Sequence, residues 1–306
     1  MTNALHTAHT APPSEGAGAG SSTALGRERR YGWLWALVPL MFLLSFFLYP
    51  LSQIAAQSFS DGQGQYIGLA NWAEVLSSAA SWNALLTTLE VAALSTLGCL
   101  VIGTFLAMVL CFLPFPGSRA VTRLIELVVC FPSFLIPLAF GILYGGSGVI
   151  NSLLSGISGT QAPAVNFVSE LPGVVLAEIA FYTPFVVRPL LAAFSQFPGE
   201  QLDVAASLGC GPFKIFGRVI LPEVLPTLLA AGGLTFLLTM NEFGIVLFTG
   251  AKSVVTLPML IYTKSIVTFD FSSAAVIACL QVVISLSIYA AYRWAFKGLT
   301  SSLRRS

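Results

Sequence analysis

The sequence predicts an all-α protein that crosses a membrane six times, and three observations predict it. Of 306 residues, 56% are hydrophobic and only 9% charged, whereas a soluble domain carries about 25% charged residues. So few charges cannot coat a water-soluble globule of this size, and the mean hydropathy of +0.85 agrees. Six apolar stretches reach the length of about 20 residues that a helix needs to cross a bilayer. Finally, Lys and Arg sort onto alternate loops, as the positive-inside rule requires.

Residues 1–30 are dominated by Ala, Gly, Ser, Thr and Pro and show no apolar periodicity. They read as a disordered cytoplasmic tail. The first apolar stretch begins near Trp33, is too long for a signal-peptide core and lacks a clear small-residue cleavage site. The spans are 33–54, 85–113, 122–144, 173–197, 224–248 and 272–296, within a membrane domain over 31–298 that leaves 299–306 as a short cytoplasmic tail. The second is longer than a bilayer core of about 30 Å needs, so it should tilt or project. The loop 51–82 is polar, and the loop 145–172 is rich in Gly and Ser, with a short surface helix expected over 149–157.

Arg27, Arg29 and Arg30 precede span 1, Arg119 and Arg123 lie between spans 2 and 3, Lys214 and Arg218 between spans 4 and 5, and Arg293, Lys297, Arg304 and Arg305 close the chain. Only Lys252 and Lys264 lie on the other set of loops, so eleven cations against two put both termini in the cytoplasm. The formal net charge of +1 gives no sign of a nucleic-acid partner. The five cysteines are widely spaced, form no CxxC pair and read as small apolar fillers, and His6 and His9 sit in the tail, so no metal site is expected.

The loop 200–222 reads as helix, turn, helix. Pro198 and Gly199 break the end of span 4, and Glu200 and Asp203 sit in the first turn of a new helix, where carboxylates favour the positive end of the dipole. Leu202, Ala205 and Ala206 share one face. Gly209 suits the residue past a helix end that needs positive φ, and Pro212 suits the first turn of the next helix. Phe213, Phe216, Val219 and Ile220 then form an apolar stripe, with Lys214 and Arg218 on the polar side. On these grounds alone the loop is either a compact cytoplasmic knob, open to close approach at Ala205 and Ala206, or an amphipathic helix lying on lipid.

The spacing Asp203-Val204-Ala205, three residues, Gly209, nine residues, Val219-Ile220-Leu221-Pro222 resembles the "EAA" loop of type I ABC importer permeases, with Asp203 for Glu, Val204 for the first Ala and Val219 for Ile. In that family the loop inserts into a cleft of a separate ATPase subunit and transmits its closure. The segments 131–137 (Phe-Pro-Ser-Phe-Leu-Ile-Pro), 182–189 (Tyr-Thr-Pro-Phe-Val-Val-Arg-Pro) and 241–248 (Asn-Glu-Phe-Gly-Ile-Val-Leu-Phe), with Gly250-Ala251-Lys252 and Thr256-Leu257-Pro258, are similar to the permease subunits of 2-aminoethylphosphonate importers. Phosphonate, sulfate, ferric-ion and polyamine permeases share much of the pattern. The resemblance covers about 33–296. It implies the type I permease fold in a bacterial inner membrane, an ATPase dimer that holds the ATP and Mg, a second permease chain, sister or identical, and an extracytoplasmic solute-binding protein. No cofactor is implied on this chain.

Charged groups inside spans are costly and mark functional positions by default. Glu90, Glu178 and Glu242 fall toward the outer third of their spans, and Arg188 lies deeper, toward the cytoplasmic side. With Asn241 they are candidates for a translocation pathway, in which carboxylates would meet the amine of an aminophosphonate and Arg188 its phosphonate. The alternative is that they pair with one another or with another subunit. Arg123 and Glu126 read as a local helix pair. Pro132, Pro137, Pro184, Pro189 and Pro226 are candidate bends. No G-x-x-x-x-G-K-[ST], H-E-x-x-H or G-x-S-x-G occurs, so the chain reads as neither an ATPase nor an enzyme. An ion-coupled secondary transporter is the remaining competing class.

Overall fold

The computed structural model describes residues 35–113, 115–158, 167–197 and 199–303. The tail over 1–30, Pro198, Arg304 and Arg305 lie outside them. Among the described residues no strand forms beyond an isolated antiparallel bridge between Ser60 and Tyr66. Asp61 closes that turn, its Oδ1 accepting from the amides of Gln63 and Gln65 at 2.9 and 2.8 Å.

The chain divides into two units, 1–53 and 54–306. The first carries most of α1 (Trp35–Gln57), which passes through a π-helical turn at Leu44–Leu48. The second begins with α2 (Ala70–Ser77) and α3 (Ala79–Phe112). It continues through α4 (Ser118–Val128), α5 (Leu135–Tyr144) and α6 (Val149–Ser158) to α7 (Leu171–Tyr182), α8 (Pro184–Ser195) and α9 (Gly199–Ser207). An unbroken helix over 212–240 is α10, with a π-helical turn at Phe216–Ile220. Then come α11 (Gly244–Thr249), α12 (Leu257–Val267) and α13 (Phe271–Leu303).

The centre of this unit is α3, which packs against α7, α8, α10 and α12. Its buried face is Ala84, Thr88, Val91, Ala92, Ser95, Thr96, Cys99, Gly103 and Ala107, a helical stripe of mostly small residues. Apolar side chains gain nothing by leaving lipid for a protein interior, so such helices associate through close backbone approach and dispersion. Gly103 illustrates it: a Cβ there would lie 2.8 Å from Val186 Cβ, with the Thr183 carbonyl at 3.5 Å. Phe181, Val186, Leu190, Phe194 and Val224 complete this core.

The sequence boundaries shift where backbone chemistry intervenes. Span 2 starts at Ala79 rather than 85, because nothing breaks the helix before Ser78, whose ψ of 123° is extended. Its 34 residues make about 51 Å of helix and outrun the bilayer core. Span 3 is not one helix. Pro132 lacks an N–H and disfavours helix before it, so α4 ends at Val128 and α5 starts at Leu135. Length and apolarity alone would select Leu135–Ile157 as the crossing. Yet α4 packs on α8 and α5 on α7, the two consecutive halves of span 4, so the α4–α5 pair runs along the whole of that span. The short helix expected over 149–157 is α6.

Span 5 also departs from expectation. Its helix begins at 212, continuous with the loop before it, and stops at Met240 rather than running to 248. Three residues, Asn241–Phe243, interrupt it before α11. The freed backbone is satisfied by side chains: Gln281 Nε2 donates to the Met240 carbonyl at 3.2 Å and to Asn241 Oδ1 at 3.0 Å. Between spans 5 and 6 lies α12, which the sequence reading did not anticipate; the Leu257 amide donates to Thr88 Oγ1 at 2.8 Å and fixes it to α3.

Candidate functional site

The loop 200–222 folds as a helix, a sharp turn and a second helix. Glu200 lies in the first turn of α9. At its end Gly209 adopts φ +78°. The Gly209 amide donates to the Ala206 carbonyl at 2.9 Å and the Cys210 amide to the Ala205 carbonyl at 3.1 Å, the paired bonds of a Schellman cap. Ala205 and half-buried Leu202 turn inward, whereas Ala206, expected on the same face, is exposed with Glu200 and Asp203. The second helix enters α10 without a break; Phe216, Val219 and Leu221 are half-buried and Pro222 is exposed. Pro212 and Phe213 begin that helix; their side-chain environment lies outside the described residues.

One feature of α9 escaped the sequence reading. Val204 and Leu208, one turn apart, are 60% and 78% exposed. Two bare aliphatic side chains beside Glu200 and Asp203 form a small apolar ridge rimmed by acids, on a helix that lies outside every apolar span. The signal was present in the i, i+4 spacing, but Val204 was read only as a substitute for Ala.

The five pathway candidates differ in exposure and in partners. Glu90 is exposed on α3. Arg188 is exposed on α8, its Nε 3.8 Å from Glu126 Oε1. That corrects the expected Arg123–Glu126 pair: α4 packs on α8 and turns Glu126 toward it. Glu178 is fully buried on α7, facing Ser95 of α3 and within electrostatic reach of Glu242. Among the described residues neither of its oxygens finds a partner at ordinary hydrogen-bond geometry.

Glu242 is buried as well, but its carboxylate takes three donors. Oε1 accepts from Ser133 Oγ at 3.0 Å and from the Ile245 amide at 2.9 Å, and Oε2 accepts from the Tyr182 hydroxyl. Asn241 beside it is exposed, its Nδ2 donating to the Leu237 carbonyl at 2.7 Å. Ser133 and Tyr182 were not singled out from sequence, although Ser133 directly follows the span proline Pro132 and Tyr182 lies two residues before Pro184.

Residues 99–301 match the family described as "Binding-protein-dependent transport system inner membrane component". The chain belongs to this family. The permease is 44% identical over 262 residues to a protein of Salmonella typhimurium named as the 2-aminoethylphosphonate transport system permease protein PhnU, across 86% of this chain and 91% of that one. It is 27% identical over 271 residues to a sulfate transport system permease protein, cysT, of Nephroselmis olivacea, across 88% and 90% of the two. Its fold resembles the crystal structure of a bacterial ABC transporter involved in the import of the polysaccharide alginate, with a TM-score of 0.77 at 19% identity, covering 91% of this chain and all of that one. The chain is thus a multi-pass permease subunit of an ABC importer in the bacterial inner membrane, with the type I permease fold. Membership sets aside the ion-coupled and enzymatic readings.

Proposed function

We propose that this permease imports 2-aminoethylphosphonate, driven by a separate ATPase dimer that binds ATP and Mg and seats on the 200–222 loop. The observation that carries the ATPase reading is the α9 ridge. Val204 and Leu208 are exposed on a helix that folds outside the spans, capped rigidly at Gly209, and its second arm runs unbroken into span 5. A push on α9 therefore passes one capped turn and then a single helix that enters the membrane without a further break. Glu200, Asp203, Ala206 and Gly209 line the same exposed side, while Phe216, Val219, Leu221 and Pro222 carry the connection onward.

The substrate reading is supported by the 44% identity to PhnU over most of both chains, against 27% to the sulfate permease. The family description supports a solute-binding protein on the outer face. A second permease chain, sister or identical, completes the pathway, and lipid surrounds both. Both termini lie in the cytoplasm, on the side that bears eleven of the thirteen loop and terminal cations. Within the membrane the solute passes the exposed Asn241 face of the span 5 break. Glu242, the next residue, is buried, as is Glu178 on α7, whereas Glu90 and Arg188 are exposed on α3 and α8.

Uptake of labelled 2-aminoethylphosphonate is the deciding measurement. Cells lacking only this chain should lose it, and a plasmid copy should restore it. Equal uptake with and without the chain, other components present, would remove the substrate. Leu208→Arg tests the ATPase seat: the variant should accumulate normally in the membrane yet retain less ATPase on co-purification. Undiminished retention would argue against the ridge.

A further inference from the structure

Spans 3 and 5 are broken, span 4 is weakened by a proline, and the three places meet. Span 3 is interrupted between Val128 and Leu135 and span 5 between Met240 and Gly244, while span 4 continues through Thr183, which keeps helical φ and ψ of −51° and −39°, and loses one backbone bond because Pro184 has no N–H. One side chain touches all three. The Glu242 carboxylate accepts from Ser133, which begins the outer half of span 3, from Tyr182, which ends the outer half of span 4, and from the amide of Ile245 in the outer piece of span 5. Those outer pieces, α5, α7 and α11, pack against one another, and the inner pieces, α4, α8 and α10, pack around α8. Gly244 allows the closeness, since a Cβ there would lie 3.1 Å from Ser133 Oγ and 3.3 Å from Glu242 Oε1. The rings of Phe134 and Phe248 close the same junction with centroids 5.0 Å apart.

We infer that Glu242 is a positioning residue, the tie that makes the outer halves of spans 3, 4 and 5 one rigid block which moves as a unit against the inner halves during transport. This rests on the importer reading. Irregular backbone at membrane depth persists only where protein or a water-filled cavity surrounds it, and element-terminal residues are where hinge rotation is absorbed. Two breaks and one proline-weakened turn would let three half-spans move independently. A carboxylate taking three donors, with at most one acceptor position left, couples them. It also leaves Glu242 little capacity to hold a solute amine while the tie is made.

The test uses the complete transporter in vesicles, with the five native cysteines replaced. Ser133→Cys with Gly244→Cys, oxidised by copper phenanthroline, places a disulfide where the tie lies. A rigid block predicts equal cross-linking in nucleotide-free and ATP-trapped transporter, and undiminished uptake of labelled 2-aminoethylphosphonate when cross-linked. Cross-linking that depends on nucleotide state, or cross-linked transporter that stops importing until reduced, overturns the proposal. Glu242→Ala should lower uptake per ATP hydrolysed by about tenfold, the size of an ordinary coupling between sites. The disulfide should restore it and reductant abolish it again; a disulfide that forms without rescue counts against the tie.

Should Glu242→Ala fail to accumulate, Glu242→Gln and Tyr182→Phe decide. Glu242→Gln exchanges one carboxylate oxygen for an amide group that donates and so weakens the bond from Tyr182 that Tyr182→Phe removes; the double variant should therefore lose less than the sum of the two single losses, and additive losses would contradict the coupling. The parent transporter is read alongside. If it fails to import the labelled solute, the substrate reading falls while the nucleotide-state cross-linking still judges the tie.

Discussion

Gly209 turns the 200–222 loop because its φ of +78° is open to glycine and costs other residues. A Cβ would meet nothing within 4 Å there, so the constraint is conformational rather than steric. Gly209→Ala should therefore cost about 1–2 kcal/mol at this turn alone, leaving thermal unfolding of the membrane body unchanged while ATPase association, followed by co-purification, weakens about tenfold. Asp270 offers a second residue-scale test. Burial raises its carboxyl, but hydrogen bonds from Lys264 at 2.9 Å and from Ser273 outweigh that and hold it below the usual carboxylate range. A depressed folded value means the contribution is complete above the unfolded value of about 3.9 and is lost only as pH falls through the lower folded one. Hydrogen-exchange protection of the Ser273 amide should be equal at pH 8 and pH 5 and decline only in stronger acid; Asp270→Asn should show that loss at neutral pH. Both residues lie outside the spans, where polarity and turn chemistry have their ordinary meaning. Gly209 was legible in sequence for that reason. The partners of Glu242 were not, because Ser133 and Tyr182 are 109 and 60 residues away from it, and no local pattern encodes that distance.

Among elements, what the sequence revealed and concealed divides along the same physical line. Spans are legible from apolar length, and a break is legible where proline removes an N–H at Pro132, although Pro184 weakens span 4 without breaking it. The break at Asn241–Phe243 has no proline, and a side-chain lattice of Gln281, Asn241 and Glu242 replaces the missing backbone bonds. Pro226, in contrast, sits within the unbroken α10. The buried face of α3 is hidden from any hydrophobicity pattern, since lipid and protein are equally apolar surroundings and both faces of the helix are apolar. Its mark is small size: Ala84, Ala92, Ser95, Cys99, Gly103 and Ala107 face protein, whereas Leu86, Leu94, Leu97, Val101 and Phe105 are exposed. Gly103→Leu would drive a branched side chain into Val186 on α8 and should destabilise the bundle by about 1–3 kcal/mol, lowering its thermal unfolding temperature in detergent. Leu97→Ala, on the exposed face of the same helix, should leave that temperature nearly unchanged.

At the scale of the molecule, direction across the membrane decides whether the proposed parts can work together. The ATPase seat at α9 and the outer block at α5, α7 and α11 must face opposite compartments, and they do so only if both termini are cytoplasmic. The inward loops carry Arg119, Arg123, Lys214 and Arg218, and the chain ends add seven more cations. Lys252 and Lys264 dissent, but Lys264 is bound to Asp270 at 2.9 Å, and that pairing offsets its charge locally. Among the described residues Lys252 is then the outer-side lysine without an ion pair, a weak signal against eleven cations, because orientation follows the bias of Lys and Arg over short loops. Green fluorescent protein fused after Arg293 or within the turn over 208–211 should therefore fluoresce, whereas alkaline phosphatase fused at the same places should be inactive. Phosphatase fused within the Gly145–Gly148 turn should be active. The reversed pattern would place α9 outside, beyond reach of any cytoplasmic ATPase, and would require another account of how this permease is driven.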